Sequence, residues 1–331
     1  MPNEPDSIDV LVFDEASQIP FAHAIPAMFR AKQLAVFGDS QQLSPSAFFL
    51  QGSAQRSDLL TESRHFLPNA ELNHHYRSRH ESLIAFSNRY FYNNRLKVMP
   101  ARTDDRTDGV FCHFVANAVY DTGQNGKEAA ALVAFLDKVF SEIPAQETIG
   151  IVAFSEKQLD VLVQFLQQSK QLSAAWENER ITLTTLEKVQ GDEFDVLLIT
   201  MGYGKDANGD FALRMGPLNQ EGGEKRLNVL FSRARRVMHF FHSVNAVDFG
   251  VSENLGIDAL KKFLLMHEDR IFGEMYSNDL AQKDFIELKD PFYNPHVVSA
   301  LMTLMRHLGV NGVRAKSQLQ LKILFYKDTI G

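Results

Sequence analysis

The sequence has little of several features that would place a chain in a restricted class. One cysteine, Cys112, occurs in 331 residues, which excludes intramolecular disulfides and thiolate metal cages. No apolar run approaches the ~18 residues that a membrane-spanning helix requires. Residues 1–10 show no basic segment followed by an apolar one. We therefore expect no secretory leader, no membrane partner and a cytoplasmic location.

The composition is that of an ordinary folded protein. Apolar residues make up 45% of the chain and charged residues 23%, which is typical of soluble globular domains. At roughly 150 residues per domain, the length predicts about two domains. We expect no stabilisation by disulfides or structural metals, because a chain of this size buries a sufficient core.

The net charge of −7 argues against a nucleic-acid ligand, but the charge is unevenly distributed. Residues 1–63 hold eight acids and three bases, whereas residues 64–97 hold six bases, two acids and four histidines. Residues 225–236 hold five bases and no acid. Two short basic segments in an acidic chain can form a local anion site, although a solvated basic helix face would give the same pattern.

Short apolar runs alternate with segments of helical periodicity along most of the chain. Strands are predicted at 8–13, 34–37, 149–154, 181–185, 196–200 and 238–242, and helices at 81–92, 125–140, 157–168 and 227–235. This alternation predicts an α/β fold with a parallel, doubly wound sheet. Breaks near Pro68 and Gly250 predict three parts: residues 1–67, 68–250 and 251–331.

Polar residues follow the first two predicted strands, where ligands bind in open α/β sheets. Asp14 and Glu15 could hold Mg²⁺ through water and accept a proton from an attacking water. Gln42, within Gly38-Asp39-x-x-Gln42-Leu43, could reach a terminal phosphate. Alternatively, the acidic pair only stabilises the N-terminus of the next helix, and the segment with Gln42 is only a polar turn.

Further candidates lie in the second half. Arg77 offers a guanidinium for phosphate oxygens, and the histidines near it fit no common zinc spacing. Gly191 permits a tight turn beside Glu193, and the Glu193 carboxylate could accept a hydrogen bond from a ribose hydroxyl. Residues 232–236 are predicted to end a helix, where Arg233 could act on a transferring phosphoryl group or simply complement the helix dipole.

The order of these motifs resembles that of superfamily 1 helicases. It runs from the acidic pair through Gly-Asp-x-x-Gln-Leu, Tyr-Arg and Gln-Gly-x-Glu to Leu-Asn-x-x-x-Ser-Arg-Ala-Arg. The likeness covers about residues 8–245 and is strongest to the branch that includes the nonsense-mediated-decay RNA helicases. Residues 186–195 and 202–228 resemble large bacterial multidomain helicases that end in a nuclease-like domain.

The resemblance implies a P-loop NTPase of RecA-like fold that uses ATP and Mg²⁺ and binds single-stranded DNA or RNA. It implies catalytic roles for Asp14 (Mg²⁺, via water), Glu15 (base), Gln42 (γ-phosphate sensor), Arg77 and Arg233 (arginine finger). It implies cofactor contacts from Asp39, Gly191, Glu193 and Arg235, and nucleic-acid contacts from Thr184 and Thr185.

One departure from the family pattern concerns the phosphate-binding loop. No Gly-x-x-x-x-Gly-Lys-(Ser/Thr) occurs in the sequence, although this loop holds the β- and γ-phosphates in the family. We therefore expect a partial first RecA-like domain (residues 1–67, with motifs II and III), with an unpaired strand edge near Ile8. A complete second RecA-like domain (68–250) and a small α+β tail (251–331) follow. A C-terminal fragment or one product of a split gene would have this form.

These observations leave two functional classes open. The first is the C-terminal portion of an ATP-dependent helicase, 5′→3′ by family analogy and inactive as the isolated chain. The second is a non-catalytic nucleic-acid-binding or assembly module that complements a separate N-terminal helicase polypeptide carrying the phosphate loop. Asp279, Glu287 and Lys289 resemble a nuclease constellation, but a charged strand edge is the favoured interpretation of them.

Overall fold

The computed structural model of the chain describes residues 4–43, 57–98 and 107–267. In these ranges the strands are β1 (Ile8–Phe13), β2 (Ala31–Val36), β3 (His74–His75), β4 (Lys97–Val98), β5 (Gly109–Phe114), β6 (Ile149–Ala153), β7 (Ile181–Thr185), β8 (Phe194–Thr200) and β9 (Ala234–His242). The α-helices are α1 (Phe21–Met28), α2 (Leu59–Ser63), α3 (Ser82–Phe91), α4 (Gly126–Val139), α5 (Glu156–Leu166), α6 (Lys170–Glu177), α7 (Gly223–Phe231) and α8 (Leu255–His267).

The largest element is a five-stranded sheet of order β5-β9-β8-β6-β7, in which every neighbouring pair is parallel. All seven residues of β8 are buried, as expected for a central strand that is covered on both faces. Leu197 and Ile199 face one core, whereas Val196 and Leu198 face the other, because successive side chains of a strand point to opposite faces. The predicted α/β class with a parallel, doubly wound sheet is confirmed.

Each face of this sheet has its own layer of helices. Leu132 of α4 and Leu162 of α5 pack in one core, and Phe86 of α3 and Leu230 of α7 pack in the other. Asn125 accepts a hydrogen bond from the backbone N of Glu128 (3.0 Å) and so caps α4, as its sequence spacing predicts. The sheet is therefore covered by helices on both faces.

Residues before the five-stranded sheet form a smaller unit with a separate core. Strand β1 pairs in parallel with β2, and Ala16, Ala24, Leu59 and Leu60 are buried together beside them. Within the described ranges β1 pairs with no other strand. We call the described residues between 4 and 67 the N-terminal unit, and those between 68 and 267 the sheet unit.

Helix α8 lies beyond the break predicted near Gly250, yet it packs into the core of the sheet unit. Ile257, Leu260 and Phe263 are buried there against α7. In the part of the chain that the structure describes, no helix combines the length and hydropathy needed to cross a membrane. The predicted α+β tail beyond residue 267, with Asp279, Glu287 and Lys289, lies outside the described residues.

The predicted helix over residues 227–235 is wrong at both ends. Helix α7 begins at Gly223, after Gly222 in the left-handed conformation (φ 74°), and ends at Phe231. Residues 234–236 open β9 instead, since Phe194 of the neighbouring strand pairs with Ala234. Arg233 therefore lies in the connection between a helix and a strand, and Arg235 lies in a strand.

Candidate functional site

Asp14 and Glu15 follow the last residue of β1, at the carboxyl end of the two-stranded sheet. The backbone N of Glu15 donates to Asp14 Oδ1 (2.9 Å), and the backbone N of Ala16 donates to the carbonyl oxygen of Phe37 (2.9 Å). Glu15 has a φ of 50°, a conformation that costs a non-glycine residue backbone strain. The tight turn leaves both carboxylates exposed.

The donor set at this turn fits a magnesium ion that is shared with phosphates. Among the described residues no group of three or more His, Cys, Asp or Glu side chains could enclose a metal. Mg²⁺ is commonly held by one or two carboxylates, with water and substrate phosphates as the other ligands. Asp14, which is exposed at the strand end, matches that pattern.

The loop after β2 holds Gln42 in a fixed orientation. Asp39 Oδ1 accepts from the backbone N of Gln41 (2.9 Å), and Asp39 Oδ2 accepts from Gln42 Nε2 (3.0 Å). A carboxylate only accepts hydrogen bonds, so the amide nitrogen of Gln42 must face Asp39. Asp39, predicted to bind the cofactor, is thus engaged with its own loop.

Arg233 reaches this loop from the sheet unit. Its side chain is 3% exposed, and its Nε donates to the carbonyl oxygen of Val229 (2.9 Å). Nη1 donates to the carbonyl oxygen of Asp192 (3.2 Å), and Nη2 donates to Gln42 Oε1 (3.4 Å). The structure therefore brings two predicted catalytic residues, 191 positions apart, into direct contact.

Burial changes the electrostatics of Arg233 without removing its charge. Burial, and secondly the like charge of Arg77, lower the pKa of Arg233 to about 10, and the negative charge of Glu15 opposes that shift. The guanidinium remains protonated at neutral pH. Glu15, Gln42, Arg77 and Arg233 thus share one electrostatic environment at the junction of the two units.

Arg77 and Arg235 clamp the carboxylate of Glu193. Arg77 Nε donates to Glu193 Oε2 (3.0 Å), and Arg77 Nη1 donates to the carbonyl oxygen of Ser232 (3.3 Å). Arg235 Nη2 donates to the other oxygen, Glu193 Oε1. The hydrogen bond from Arg235 is the largest cause that holds the pKa of Glu193 below its ordinary value, and burial acts against it.

Gly191 precedes Glu193 in a turn that requires glycine. Its φ is 95°, in the left-handed region that L residues avoid. A Cβ at this position would meet no atom within 4 Å, so backbone conformation rather than space fixes the residue type. The predicted tight turn is present.

Thr184 and Thr185, predicted to contact nucleic acid, are covered by protein. Their exposures are 8% and 3%, and they end the edge strand β7. Both residues are buried in the folded chain, so their contact with nucleic acid stays a prediction.

Two residues that are not among the predicted site residues also join the site. The Tyr92 hydroxyl donates to Asp39 Oδ2 (2.5 Å). Asn228 Nδ2 donates to the carbonyl oxygen of Gln41 and to the Tyr92 hydroxyl oxygen (both 2.9 Å). Asn228 stands in the Leu-Asn pair of the last motif, which was the available signal. Tyr92 has no comparable signal, because its partner is 53 positions away.

The chain is similar to a known family and to proteins of two Mycoplasma species. A family model described as an AAA domain matches residues 58–243. An uncharacterized ATP-dependent helicase MG140 homolog from Mycoplasma pneumoniae is 30% identical over an alignment of 329 residues, which covers 88% of this chain and 29% of the relative. The uncharacterized ATP-dependent helicase MG140 from Mycoplasma genitalium is 31% identical over 301 residues, covering 81% and 26%. The chain thus spans less than a third of either relative.

Two solved structures are similar to parts of the chain. The arterivirus nonstructural protein 10 (helicase) in complex with DNA covers 70% of this chain and 39% of its own, with 12% identity and a TM-score of 0.35. The C-terminal domain of a possible DNA helicase from Lactobacillus plantarum WCFS1 covers 54% and 96%, with 17% identity and a TM-score of 0.30.

Proposed function

The chain belongs to the AAA domain family whose model matches residues 58–243, and from that premise we propose that it is part of an ATP-dependent nucleic-acid helicase. Its relatives in two Mycoplasma species are named ATP-dependent helicases. Nucleotide hydrolysis between the two units would drive stepping along a single strand of DNA or RNA. The 5′→3′ direction rests on the likeness to superfamily 1 alone.

One observation carries this proposal, namely the meeting of Gln42 and Arg233 between the two units. The contact is 3.4 Å long, and the charges of Glu15 and Arg77 both act on Arg233. A polar amide, a carboxylate and two guanidinium groups at one junction are the groups that position water and stabilise a transferring phosphoryl group.

The proposed roles follow from where the side chains lie. Asp14 would hold the Mg²⁺ that accompanies ATP and neutralises its phosphate charge. Glu15, whose carboxylate is exposed, accepts the proton of the attacking water, and Gln42 orients that water. Arg233 and Arg77 donate from the sheet unit to the phosphate oxygens, where negative charge develops.

The remaining predicted contacts are also proposals. When a phosphate takes the hydrogen bonds of Arg77 and Arg235, the Glu193 carboxylate is released to accept a hydrogen bond from the ribose. Gly191 maintains the turn that holds Glu193 in place. Asp39 orients Gln42 rather than contacting the nucleotide directly. Thr184 and Thr185 reach nucleic acid only if the end of β7 opens, since both are buried.

We also propose that the isolated chain hydrolyses ATP poorly. Its 331 residues contain no Gly-x-x-x-x-Gly-Lys-(Ser/Thr), the loop that supplies backbone N–H groups and a lysine to the β- and γ-phosphates. The second candidate function, an assembly module that completes a phosphate-loop polypeptide, is favoured by this same feature. In both cases residues 1–67 act as part of a first RecA-like domain and residues 68–250 act as the second.

The test is ATP hydrolysis stimulated by single-stranded DNA or RNA. We expect no ATP hydrolysis above background by the chain alone. Addition of a polypeptide that carries the phosphate loop should restore ATP hydrolysis. Glu15→Gln should abolish the restored turnover, because the amide cannot accept the proton. Turnover that Glu15→Gln leaves intact would refute the assigned site. Turnover by the chain alone would refute the need for the loop.

A further inference from the structure

Hydrogen bonds between the N-terminal unit and the sheet unit converge on the loop that carries Gln42. We propose that the Tyr92 hydroxyl and the Asn228 amide form a latch that binds this loop and positions Gln42 against Arg233. The inference rests on the proposed function, since it assigns two positioning residues to the proposed site. Neither residue touches the reacting groups directly.

The Asp39 carboxylate is the centre of the latch. Its Oδ2 accepts from Tyr92 of the sheet unit (2.5 Å) and from Gln42 Nε2 (3.0 Å). One oxygen of the N-terminal unit therefore ties together a residue of the opposite unit and the residue to be positioned. Hydrogen bonds to a charged acceptor are stronger than those between neutral groups.

The direction of each hydrogen bond in the latch is fixed by chemistry. The carbonyl oxygen of Gln41 only accepts, so the amide nitrogen of Asn228 must face it, and that nitrogen also donates to the Tyr92 hydroxyl. Tyr92 is then free to donate to Asp39. Gln42 is left with its Oε1 toward Arg233.

The side chain of Asn228 carries a cost to folding. It is fully buried, and within the described residues its Oδ1 has no hydrogen-bond partner. A buried unsatisfied amide oxygen is destabilising. An apolar residue would avoid this cost, so the hydrogen bonds that the amide donates to the Gln41 carbonyl oxygen in the loop and to the Tyr92 hydroxyl explain why asparagine stands at this position of α7.

The latch and Arg233 share one helix end. Helix α7 carries Asn228 and ends at Phe231, and Arg233 Nε donates to the carbonyl oxygen of Val229 (2.9 Å). Tyr92 follows α3, which packs against α7. Burial, and secondly the charge of Asp39, raise the pKa of Tyr92, so the hydroxyl remains a donor. Separation of the units would break the latch and the Gln42–Arg233 contact together.

The experiment measures the distance between the units in the full chain without nucleotide. Cysteines replace the exposed Gln33 of β2 and Glu177 of α6 and carry spin labels, while Cys112 is buried. Pulsed electron paramagnetic resonance then reports the distance distribution. Tyr92→Phe should lower the ratio of close to separated molecules by about tenfold, the effect of losing one charge-assisted hydrogen bond.

The matched control is Tyr90→Phe, the same change at an exposed tyrosine of α3, the helix that Tyr92 follows. It should leave the distribution as in the parent protein. If Tyr92 has a purely structural role, Tyr92→Phe lowers the unfolding temperature and leaves the distances unchanged. The latch predicts a changed distance distribution and an unchanged unfolding temperature. An unchanged distribution in Tyr92→Phe, or an equal change in Tyr90→Phe, overturns the proposal.

Asp39→Ala gives a second route, since it removes the acceptor from the other unit. We expect the same separation of the units, with no added effect of Tyr92→Phe in the double variant. Full additivity of the two substitutions overturns the latch. The distances are measured without ATP, so they test the latch independently of ATP turnover. The latch and the helicase function are therefore refuted by different results.

Discussion

At the residue scale, Arg233 is a buried charge whose donors are almost all engaged. Three of its nitrogens donate, to the carbonyl oxygens of Val229 and Asp192 and to Gln42 Oε1. A planar guanidinium serves several acceptors in fixed directions, which an ammonium group cannot do. The residue therefore contributes to folding as well as to the proposed chemistry.

Arg233→Lys should lower the free energy of unfolding by about 1–3 kcal/mol, because buried carbonyl oxygens lose their donors. Urea-induced unfolding followed by circular dichroism measures this. The control is Arg235→Lys, whose side chain is 36% exposed in its pair with Glu193. Exposed pairs contribute only about 0–1 kcal/mol. Equal losses in the two variants would contradict the account.

A second buried charged group lies on the far side of the sheet unit. Glu128 Oε1 accepts from the Thr200 hydroxyl (2.6 Å) and from the backbone N of Gly202 (2.7 Å). Burial raises the pKa of Glu128 from 4.5 to about 7, although these hydrogen bonds oppose it. The folded state then binds the proton more tightly than the unfolded state does. The stabilisation present below pH 4.5 is lost as the pH rises through 7.

Glu128→Gln should remove this pH dependence, because the amide keeps an accepting oxygen and carries no charge. The free energy of unfolding of the variant, relative to the parent, should rise by about 2–3 kcal/mol between pH 5 and pH 8. Burial lowers the pKa of His75 and His113 to about 4, but both proteins share that contribution. Glu177→Gln, an exposed control, should show no trend. A flat difference for Glu128→Gln would contradict the assignment.

At the element scale, the neighbouring strands β6 and β8 pack closely at Gly150. Gly150 of β6 faces Phe194 of β8, and a Cβ on Gly150 would lie 2.3 Å from the ring. No side chain fits there unless the ring moves. The aromatic ring thus occupies the space that the missing Cβ leaves, as expected for a close-packed interior.

Gly150→Ala should destabilise the protein by about 1–3 kcal/mol through overpacking. Gly126→Ala is the matched control, since a Cβ at this first residue of α4 meets nothing within 4 Å. We expect the control to be neutral or slightly stabilising, because alanine favours helix. The unfolding temperatures of both variants, relative to that of the parent protein, measure these effects. A Gly150→Ala protein as stable as the parent would refute the packing argument.

The sequence predicted most elements of the sheet unit because their signals are local. Strand β7 and the helix capped by Asn125 follow from apolar spacing and cap chemistry. Helix α8 was not predicted, and the helix ending near Arg233 was misplaced, since strand pairing overrode local propensity there. The motif order predicted Gln42 and Arg233, which the fold brings into contact. Tyr92 was missed because its hydrogen bond joins distant parts of the chain, which no periodicity records.

At the scale of the whole molecule, the two units contribute side chains of opposite charge to the proposed site. The N-terminal unit presents the carboxylates of Asp14 and Glu15, and the sheet unit presents Arg77 and Arg233. Neither set alone can position water and stabilise a phosphoryl group, so the proposed chemistry exists only at their junction. The small unit has a modest core, and hydrogen bonds across the junction therefore matter to its placement.

The most direct measurement of the central claim is a double-mutant cycle on ATP turnover stimulated by a single strand, in the presence of a phosphate-loop polypeptide. Gln42→Ala and Arg233→Ala should each reduce kcat by about 100-fold or more. The double variant should be no slower than the worse single variant, because groups that act as a unit are not additive. Turnover unaffected by either substitution, or independent multiplying effects, would contradict a shared site between the two units.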